Sequence, residues 1–164
     1  MENKTNIVEE QQDKVKEKHI VKYIVEHWNE LFKEFNYNFY KAEQVVCMLP
    51  KEWRCDIVAF AKTHINNGSY RAAIYTEVKY NNNSRDLLEE LNKGLHFLKN
   101  CSKDYPRFLC VIIDRKSLSP SIKQFLDDNK ISYFIYHVSN DDLQNLDISI
   151  IEHKDYYTKN IKGV

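Results

Sequence analysis

The sequence predicts an α/β domain in which a central mixed β-sheet is flanked by helices. Amphipathic periodicity near the start predicts a helix, and three strand-like runs separated by turn-prone residues predict an antiparallel meander. A strand, a helix and a second strand follow, and these two strands are expected to be parallel neighbours joined by a right-handed crossover. With 164 residues, the chain has the length of one ordinary domain.

An amphipathic helix is predicted over residues 15–35. Its apolar residues recur with helical spacing, so that one stripe would face the core. This stripe consists of Ile20, Ile24, Trp28, Leu31 and Phe35. Glu17 lies one turn before Ile20, at the start of the stripe.

The meander is predicted over residues 38–48, 54–61 and 71–80, where strand-forming residues predominate. Pro50 ends the first run, because proline cannot donate to a strand ladder. The Asn-Gly sequence within residues 66–69 favours a hairpin turn between the second and third strands.

The second half of the chain predicts two more helices and two more central strands. Ser84 can cap a helix whose leucines recur with helical spacing. Residues 107–114 form a continuous apolar run, which is typical of a strand buried on both faces. Ser119 and Pro120 favour the start of the second helix, and residues 131–138 predict the last central strand.

The chain shows no repeat or linker that would divide it. We expect a flexible N-terminus over residues 1–14, a single domain over residues 15–151 and a C-terminal tail over residues 152–164. Residues 148–151 could add an edge strand to the sheet.

Composition excludes several classes of function. Lys and Arg total 24, as do Asp and Glu. This balance argues against a protein that coats nucleic acid or an anionic membrane through a large, uniform electrostatic field. No apolar run approaches the roughly 20 residues of a spanning helix. The four cysteines form no C-x-x-C pair, so we expect reduced thiols in a cytoplasmic protein. The histidines lack zinc-hydrolase spacing, and no Gly-rich phosphate loop is present.

Three charged residues interrupt strand-like runs and form the predicted site. Asp56 lies in the second strand of the meander, and Glu77 and Lys79 lie at the end of the third. Burying such charges is costly unless they pair, bind a metal or take part in chemistry. The period of two places Glu77 and Lys79 on one face while Val78 points away. Asp56 on an adjacent strand would complete a divalent-cation site.

The tripeptide Glu-x-Lys is not specific by itself. It also occurs at Glu2–Lys4, in a polar N-terminus, and at Glu152–Lys154, in a charged tail. The run Asp114-Arg115-Lys116 follows another apolar strand, but no Asp-containing strand precedes it. We interpret it as a salt bridge in a loop.

In this order of elements, with an Asp in the meander and Glu-x-Lys ending the next strand, the chain resembles the PD-(D/E)XK nuclease superfamily over residues 15–136. Its first helix resembles that of restriction-endonuclease-like and Holliday-junction-resolvase-like members. The resemblance implies a three-layer restriction-endonuclease-like core. It also implies that Asp56, Glu77, the Val78 carbonyl and an acidic residue of the first helix bind Mg²⁺, with Mn²⁺ as a possible substitute. Glu17 is our candidate for that acidic residue, ahead of Glu26 and Glu30. Lys79 is implied to act on the attacking water.

Two residues depart from the pattern of that superfamily. Cys55 stands where many members have Gly or Pro before the Asp, and Glu90 stands where many have Gln in the following helix. Glu90 could contact the metal or Lys79, or it could be an exposed helix charge, and we favour the exposed charge.

The resemblance implies a magnesium-dependent endonuclease that acts on nucleic acid, with DNA as the expected substrate. The alternative is a non-catalytic module that binds nucleic acid or a subunit and keeps the nuclease-like fold. Because the chain is neutral and has no DNA-reading motif, specificity would come from a homodimer, a protein partner or substrate shape. No membrane partner is expected.

Overall fold

A computed structural model describes residues 14–35, 37–47, 53–65, 68–100 and 107–156. These residues form three layers, because helices cover both faces of a six-stranded mixed sheet. The predicted fold class is therefore confirmed. The helices are α1 (Glu17–Glu26), α2 (Trp28–Leu31), α3 (Ser84–Asn100) and α4 (Pro120–Asp128). The strands are β1 (Asn38–Cys47), β2 (Trp53–Ile65), β3 (Gly68–Lys79), β4 (Arg107–Asp114), β5 (Ser132–Asn140) and β6 (Asp147–Lys154).

The strands lie in the sheet in the order in which they occur in the chain. β1, β2 and β3 form the predicted antiparallel meander, whereas β3, β4 and β5 are parallel to one another. β6 closes the sheet antiparallel to β5. The three parallel strands therefore have their carboxyl ends at the same edge of the sheet.

Each face of the sheet has its own hydrophobic core. Alternate residues of β4 contribute to opposite faces: Cys110 and Ile112 pack in the cluster below α1 and α2, while Val111 and Ile113 pack in the cluster below α3 and α4. The α1 side contains several stacked aromatic rings, including Trp28 against Tyr37 at 4.8 Å between ring centroids. β4 is thus buried on both faces, as its continuous apolar run predicts.

The first helix is shorter than predicted. One helix over residues 15–35 is wrong, because α1 ends at Glu26 and α2 covers only Trp28–Leu31. At the break, the His27 ring stacks on Tyr23 at 4.0 Å, and its Nδ1 lies 2.9 Å from the Tyr23 carbonyl oxygen. The apolar spacing is satisfied on both sides of this break, so periodicity does not reveal it.

The cap of α3 is also corrected. Ser84 is the first helical residue, and the side chain of Asn83 accepts a hydrogen bond from Asp86 N at 3.0 Å. Asn83 is therefore the residue that caps the helix, since its oxygen satisfies an otherwise unpaired N–H. The start of α4 agrees with the prediction, because Ser119 Oγ accepts from Ile122 N at 3.3 Å and Pro120 begins the helix.

Several strand bounds differ from the prediction. β2 and β3 continue to Ile65 and from Gly68, so their hairpin is longer than residues 54–61 and 71–80 imply. β6 extends to Lys154. The predicted flexible N-terminus lies outside the described residues except for Lys14, and so does the C-terminal segment from residue 157.

Candidate active site

The site is built where β2 and β3 separate. The antiparallel ladder between these strands ends at Ile57, which pairs with Thr76. Beyond that pair, the Asp56 carboxylate accepts a hydrogen bond from Val78 N at 2.7 Å. The side chain of Asp56 thus replaces the next main-chain partner of β3, which brings a carboxylate to the carboxyl end of that strand.

Glu77 and Lys79 lie on the α3 side of the sheet. In the parallel register with β4 they pair with Val111 and Ile113, both of which belong to the core below α3. Lys79 Nζ lies 3.6 Å from Glu77 Oε2. Their same-face placement follows from strand alternation, since they are two residues apart.

Glu90 of α3 forms a second ion pair with Lys79. The Glu90 side chain is 49% exposed, whereas those of Lys79 and Glu77 are 6% and 15% exposed. The ammonium group is therefore held between two carboxylates at the boundary between core and solvent. The preference for Glu90 as a merely exposed helix charge is wrong, because it contacts Lys79.

Glu17 reaches the same strand end from the other side of the sheet. Its carboxylate accepts a hydrogen bond from Tyr80 N at 3.2 Å, immediately beyond Lys79. Glu17 is the first residue of α1, whose inner residues Ile20 and Ile24 are fully buried. Packing of this helix fixes the position of Glu17, although 63 residues separate it from Tyr80.

Side chains of other elements hold the residues that follow. The Tyr136 hydroxyl donates to the Lys79 carbonyl at 2.7 Å, and Asp114 accepts from Asn81 N at 3.1 Å. Asn81 has a φ of 60°, which asparagine tolerates better than most residues. We call residues 78–82 the β3 terminus. Side chains from β2, α1, β4 and β5 bind its backbone, so its conformation is fixed by tertiary contacts.

Electrostatic crowding is greatest at Glu77. Burial, followed by the negative charge of Asp56, raises the pKa of Glu77 from 4.5 to about 8, although the charge of Lys79 acts in the opposite direction. Glu77 Oε1 is buried and accepts no hydrogen bond from any residue that the structure describes. The site therefore has excess negative charge that its own lysine does not fully neutralise.

Lys79 and Glu17 respond to the same environment. Burial acts to lower the pKa of Lys79, but the hydrogen bond to Glu90 and the negative charge of Glu77 outweigh it, so this pKa is raised. Lys79 is therefore a stable cation. Burial raises the pKa of Glu17, while the charge of Lys79 and the Tyr80 N–H reduce that effect.

Among the described residues, no three His, Cys, Asp or Glu side chains are already grouped as metal ligands. The donors near the β3 terminus nevertheless have the right chemistry for a hard cation, because they are carboxylate oxygens and one of them, Glu77 Oε1, is buried without a partner. The excess negative charge at Glu77 would be relieved by a bound cation.

Some contacts of the site were not predicted from the sequence. Tyr136 lies within an apolar strand run, where an aromatic residue is expected to pack in the core. The sequence therefore does not predict its hydrogen bond to the Lys79 carbonyl. The sequence predicts a loop salt bridge at Asp114, but its carboxylate accepts the Asn81 N–H and forms no ion pair with a described residue. Both cysteines whose side chains are described, Cys55 and Cys110, are buried free thiols, as expected.

Comparisons with solved structures give weak likenesses, and two of them are as follows. No protein-family model and no curated protein matches the sequence. An XisH family protein from Nostoc punctiforme is 12% identical, with a TM-score of 0.49 over 84% of this chain and 98% of that chain. An fdxN element excision controlling factor protein from Anabaena variabilis is 11% identical, with a TM-score of 0.45 over 75% of this chain and 91% of that chain. Such values assign no activity.

None of the helices in the described part of the chain combines the necessary length with sufficient apolar character to cross a bilayer.

Proposed function

We propose that this chain is a divalent-cation-dependent nuclease that hydrolyses phosphodiester bonds, with DNA as the substrate and endonucleolytic cleavage as the reaction. One observation carries the proposal. Asp56 and Glu77, on neighbouring strands, are close enough for the charge of Asp56 to raise the pKa of Glu77, and the stable cation Lys79 lies 3.6 Å from Glu77. Acidic oxygen ligands beside a fixed ammonium group suit phosphoryl chemistry.

Four groups would hold the cation, Mg²⁺ or Mn²⁺ in its place. They are the carboxylates of Asp56, Glu77 and Glu17 and the carbonyl oxygen of Val78. When bound, the cation would stabilise negative charge on the phosphoryl oxygens and help to form the nucleophile from water. Glu77 Oε1 is the strongest candidate ligand, because it is buried and makes no hydrogen bond with a described residue.

Lys79 acts through its charge. Its raised pKa keeps the amine protonated, so it is a poor proton acceptor at neutral pH. Its N–H groups would orient the attacking water and favour negative charge on the water oxygen and the phosphate. Glu90 and the Tyr136 hydroxyl position this lysine, since one contacts its ammonium group and the other its carbonyl.

A non-catalytic module that binds nucleic acid or a subunit is the second candidate. The ion pair between Lys79 and Glu90 favours this candidate, because the ammonium group proposed to act on the water is already paired with a carboxylate. The absence of a ready-made group of three metal-ligating side chains among the described residues favours it as well.

Cleavage by site variants separates the two candidates. Lys79→Ala and Asp56→Asn should each slow cleavage of DNA in Mg²⁺ by roughly a hundredfold or more, as expected when an electrostatic contact to the transition state is lost. Asparagine retains an oxygen that can accept from Val78 N, so Asp56→Asn tests the charge while keeping that contact. Excess Mg²⁺ or Mn²⁺ should partly rescue Asp56→Asn but should not rescue Lys79→Ala.

The assay uses duplex, single-stranded and branched DNA and RNA, with and without metal. Lys99→Ala is the matched control, because Lys99 is an exposed residue in the last turn of α3. Glu17→Gln should weaken metal affinity in a titration. Cleavage by Lys79→Ala at the wild-type rate would refute the mechanism, and DNA binding by wild type without cleavage of any substrate would establish the second candidate.

A further inference from the structure

A cleft of about 690 Å³ opens at the carboxyl ends of β3, β4 and β5. It is lined by Tyr80 after β3, by Arg115 and Lys116 after β4, and by residues 136–139 of β5. Lys14, just before α1, completes one wall. In sheets with parallel strands, ligands commonly bind in the crevice outside the carboxyl ends of those strands.

Three cations of this cleft have no carboxylate partner among the residues that the structure describes. Arg115 and Lys116 are exposed, as is Lys14. Across the described parts of the chain, none of these three side chains takes part in an ion pair, whereas Lys22, Arg85, Lys123 and Lys154 all do. Because the whole chain has no net charge, this group of unpaired cations is a local feature.

Two carboxylates also line the cleft. Asp114 is only 4% exposed, and its Oδ1 accepts the Asn81 N–H. Asp141 is exposed, and together with Asp114 it contributes to the raised pKa of Tyr80, of which burial is the main cause. The exposed charge facing solvent is therefore positive on balance, with Arg115, Lys116 and Lys14 against Asp141.

The cleft adjoins the candidate active site through two tyrosines. Tyr136 lines the cleft, and its hydroxyl holds the carbonyl of Lys79. Tyr80 lines the cleft as well, and its N–H is bound by Glu17. A chain of phosphates that passes over the β3 terminus would therefore extend from Lys79 on one face of the sheet toward the cleft on the other.

We propose that this cleft binds the sugar-phosphate backbone of the DNA strand beside the phosphate at the candidate active site. Arg115, Lys116 and Lys14 contact phosphate oxygens, and Tyr80 offers a ring edge or face to a nucleotide. Contacts of this kind fix the register of the strand without reading its sequence. This inference rests on the proposed nuclease function, because it identifies where that enzyme holds its substrate.

Binding without metal tests the cleft separately from catalysis. Fluorescence anisotropy with labelled single-stranded and duplex DNA, in EDTA and at several salt concentrations, gives the affinity and its salt dependence. The double variant Arg115→Ala/Lys116→Ala should bind roughly tenfold or more weakly, and the slope of log affinity against log salt should fall by about 1 to 2. Lys99→Ala should bind DNA as the wild-type protein does, because Lys99 lies in the last turn of α3 and does not line the cleft.

Cleavage kinetics complete the test. With Mg²⁺, the double variant should show a raised KM and a nearly unchanged kcat, because the cleft positions substrate and takes no part in bond breaking. Wild-type affinity and KM in the double variant would overturn the cleft proposal while leaving the nuclease function intact. An equal loss of affinity in Lys99→Ala would also overturn it. Salt-dependent binding through the cleft without any cleavage would support the surface and overturn the nuclease function.

Discussion

Replacing Glu77 by Gln should stabilise the metal-free protein at alkaline pH. The folded state raises the pKa of Glu77 from 4.5 to about 8, chiefly through burial and the charge of Asp56. A carboxyl group with a raised pKa contributes its stabilising effect fully below pH 4.5, and that effect is lost as the pH rises through about 8. The wild-type protein should therefore lose stability over this interval, and Glu77→Gln should lose less.

The magnitude follows from the two pKa values. Each tenfold change in the acid dissociation constant corresponds to roughly 1.4 kcal/mol. The rise in the pKa of Glu77 from 4.5 to about 8 therefore sets an upper limit on the order of 5 kcal/mol for the loss of unfolding free energy. The actual free-energy difference should be smaller than this limit. The charges of Asp56 and Lys79 interact with Glu77, and its side chain is 15% exposed, so solvent screens part of the effect. We expect a gain of about 1–3 kcal/mol at pH 8.5 and little difference at pH 4.5.

The assay is urea denaturation of both proteins between pH 4.5 and 9 in the presence of a chelator. Glu89→Gln is the matched control, because Glu89 lies on α3 with its side chain 65% exposed. The difference in unfolding free energy between Glu77→Gln and wild type should increase with pH, while Glu89→Gln should follow wild type. A constant difference across the pH range would refute the reasoning about Glu77.

Two further changes test how Lys79 is held. Tyr136→Phe should destabilise the protein by about 1–3 kcal/mol in urea denaturation, because it leaves the buried Lys79 carbonyl without its hydroxyl donor; an unchanged unfolding midpoint would contradict this contact. Glu90→Gln should lower kcat and shift the alkaline limb of the pH–rate profile to lower pH, because the ammonium loses a carboxylate that raises its pKa. The same profile in Glu89→Gln should match wild type, and identical profiles for both variants would show that Glu90 does not position Lys79.

Much of the fold was predictable because each element has a strong local signal. The apolar run of β4 and the Ser-Pro start of α4 correspond closely to the structure. The break at His27 has no such signal, because it occurs within an otherwise helical pattern, where the His27 side chain contacts the Tyr23 carbonyl. The cap at Asn83 was missed because Ser84 is an equally good capping residue and adjacent in sequence.

The candidate site was predictable only where strand alternation decides it. Glu77 and Lys79 share a face because they are two residues apart, and the structure separates their charged atoms by 3.6 Å. The approach of Glu90 depends on how α3 packs across the sheet, which periodicity does not specify. The role of Tyr136 could not be predicted for a similar reason. Its hydrogen bond to the Lys79 carbonyl depends on the position of β5 relative to β3 in the sheet.

The sequential order of the strands has a consequence for how the protein is made. Each strand pairs with the strand that precedes it, so the sheet can grow in the order in which a ribosome delivers it. Glu17, Asp56, Glu77, Lys79 and Glu90 all lie in the first 90 residues, ahead of β4. The acidic side chains are therefore synthesised before the strands that enclose them. The later addition of β4 and β5 buries the β3 terminus and brings the Tyr136 hydroxyl to the Lys79 carbonyl. The second half of the chain therefore fixes the conformation of a site whose charged side chains belong to the first half.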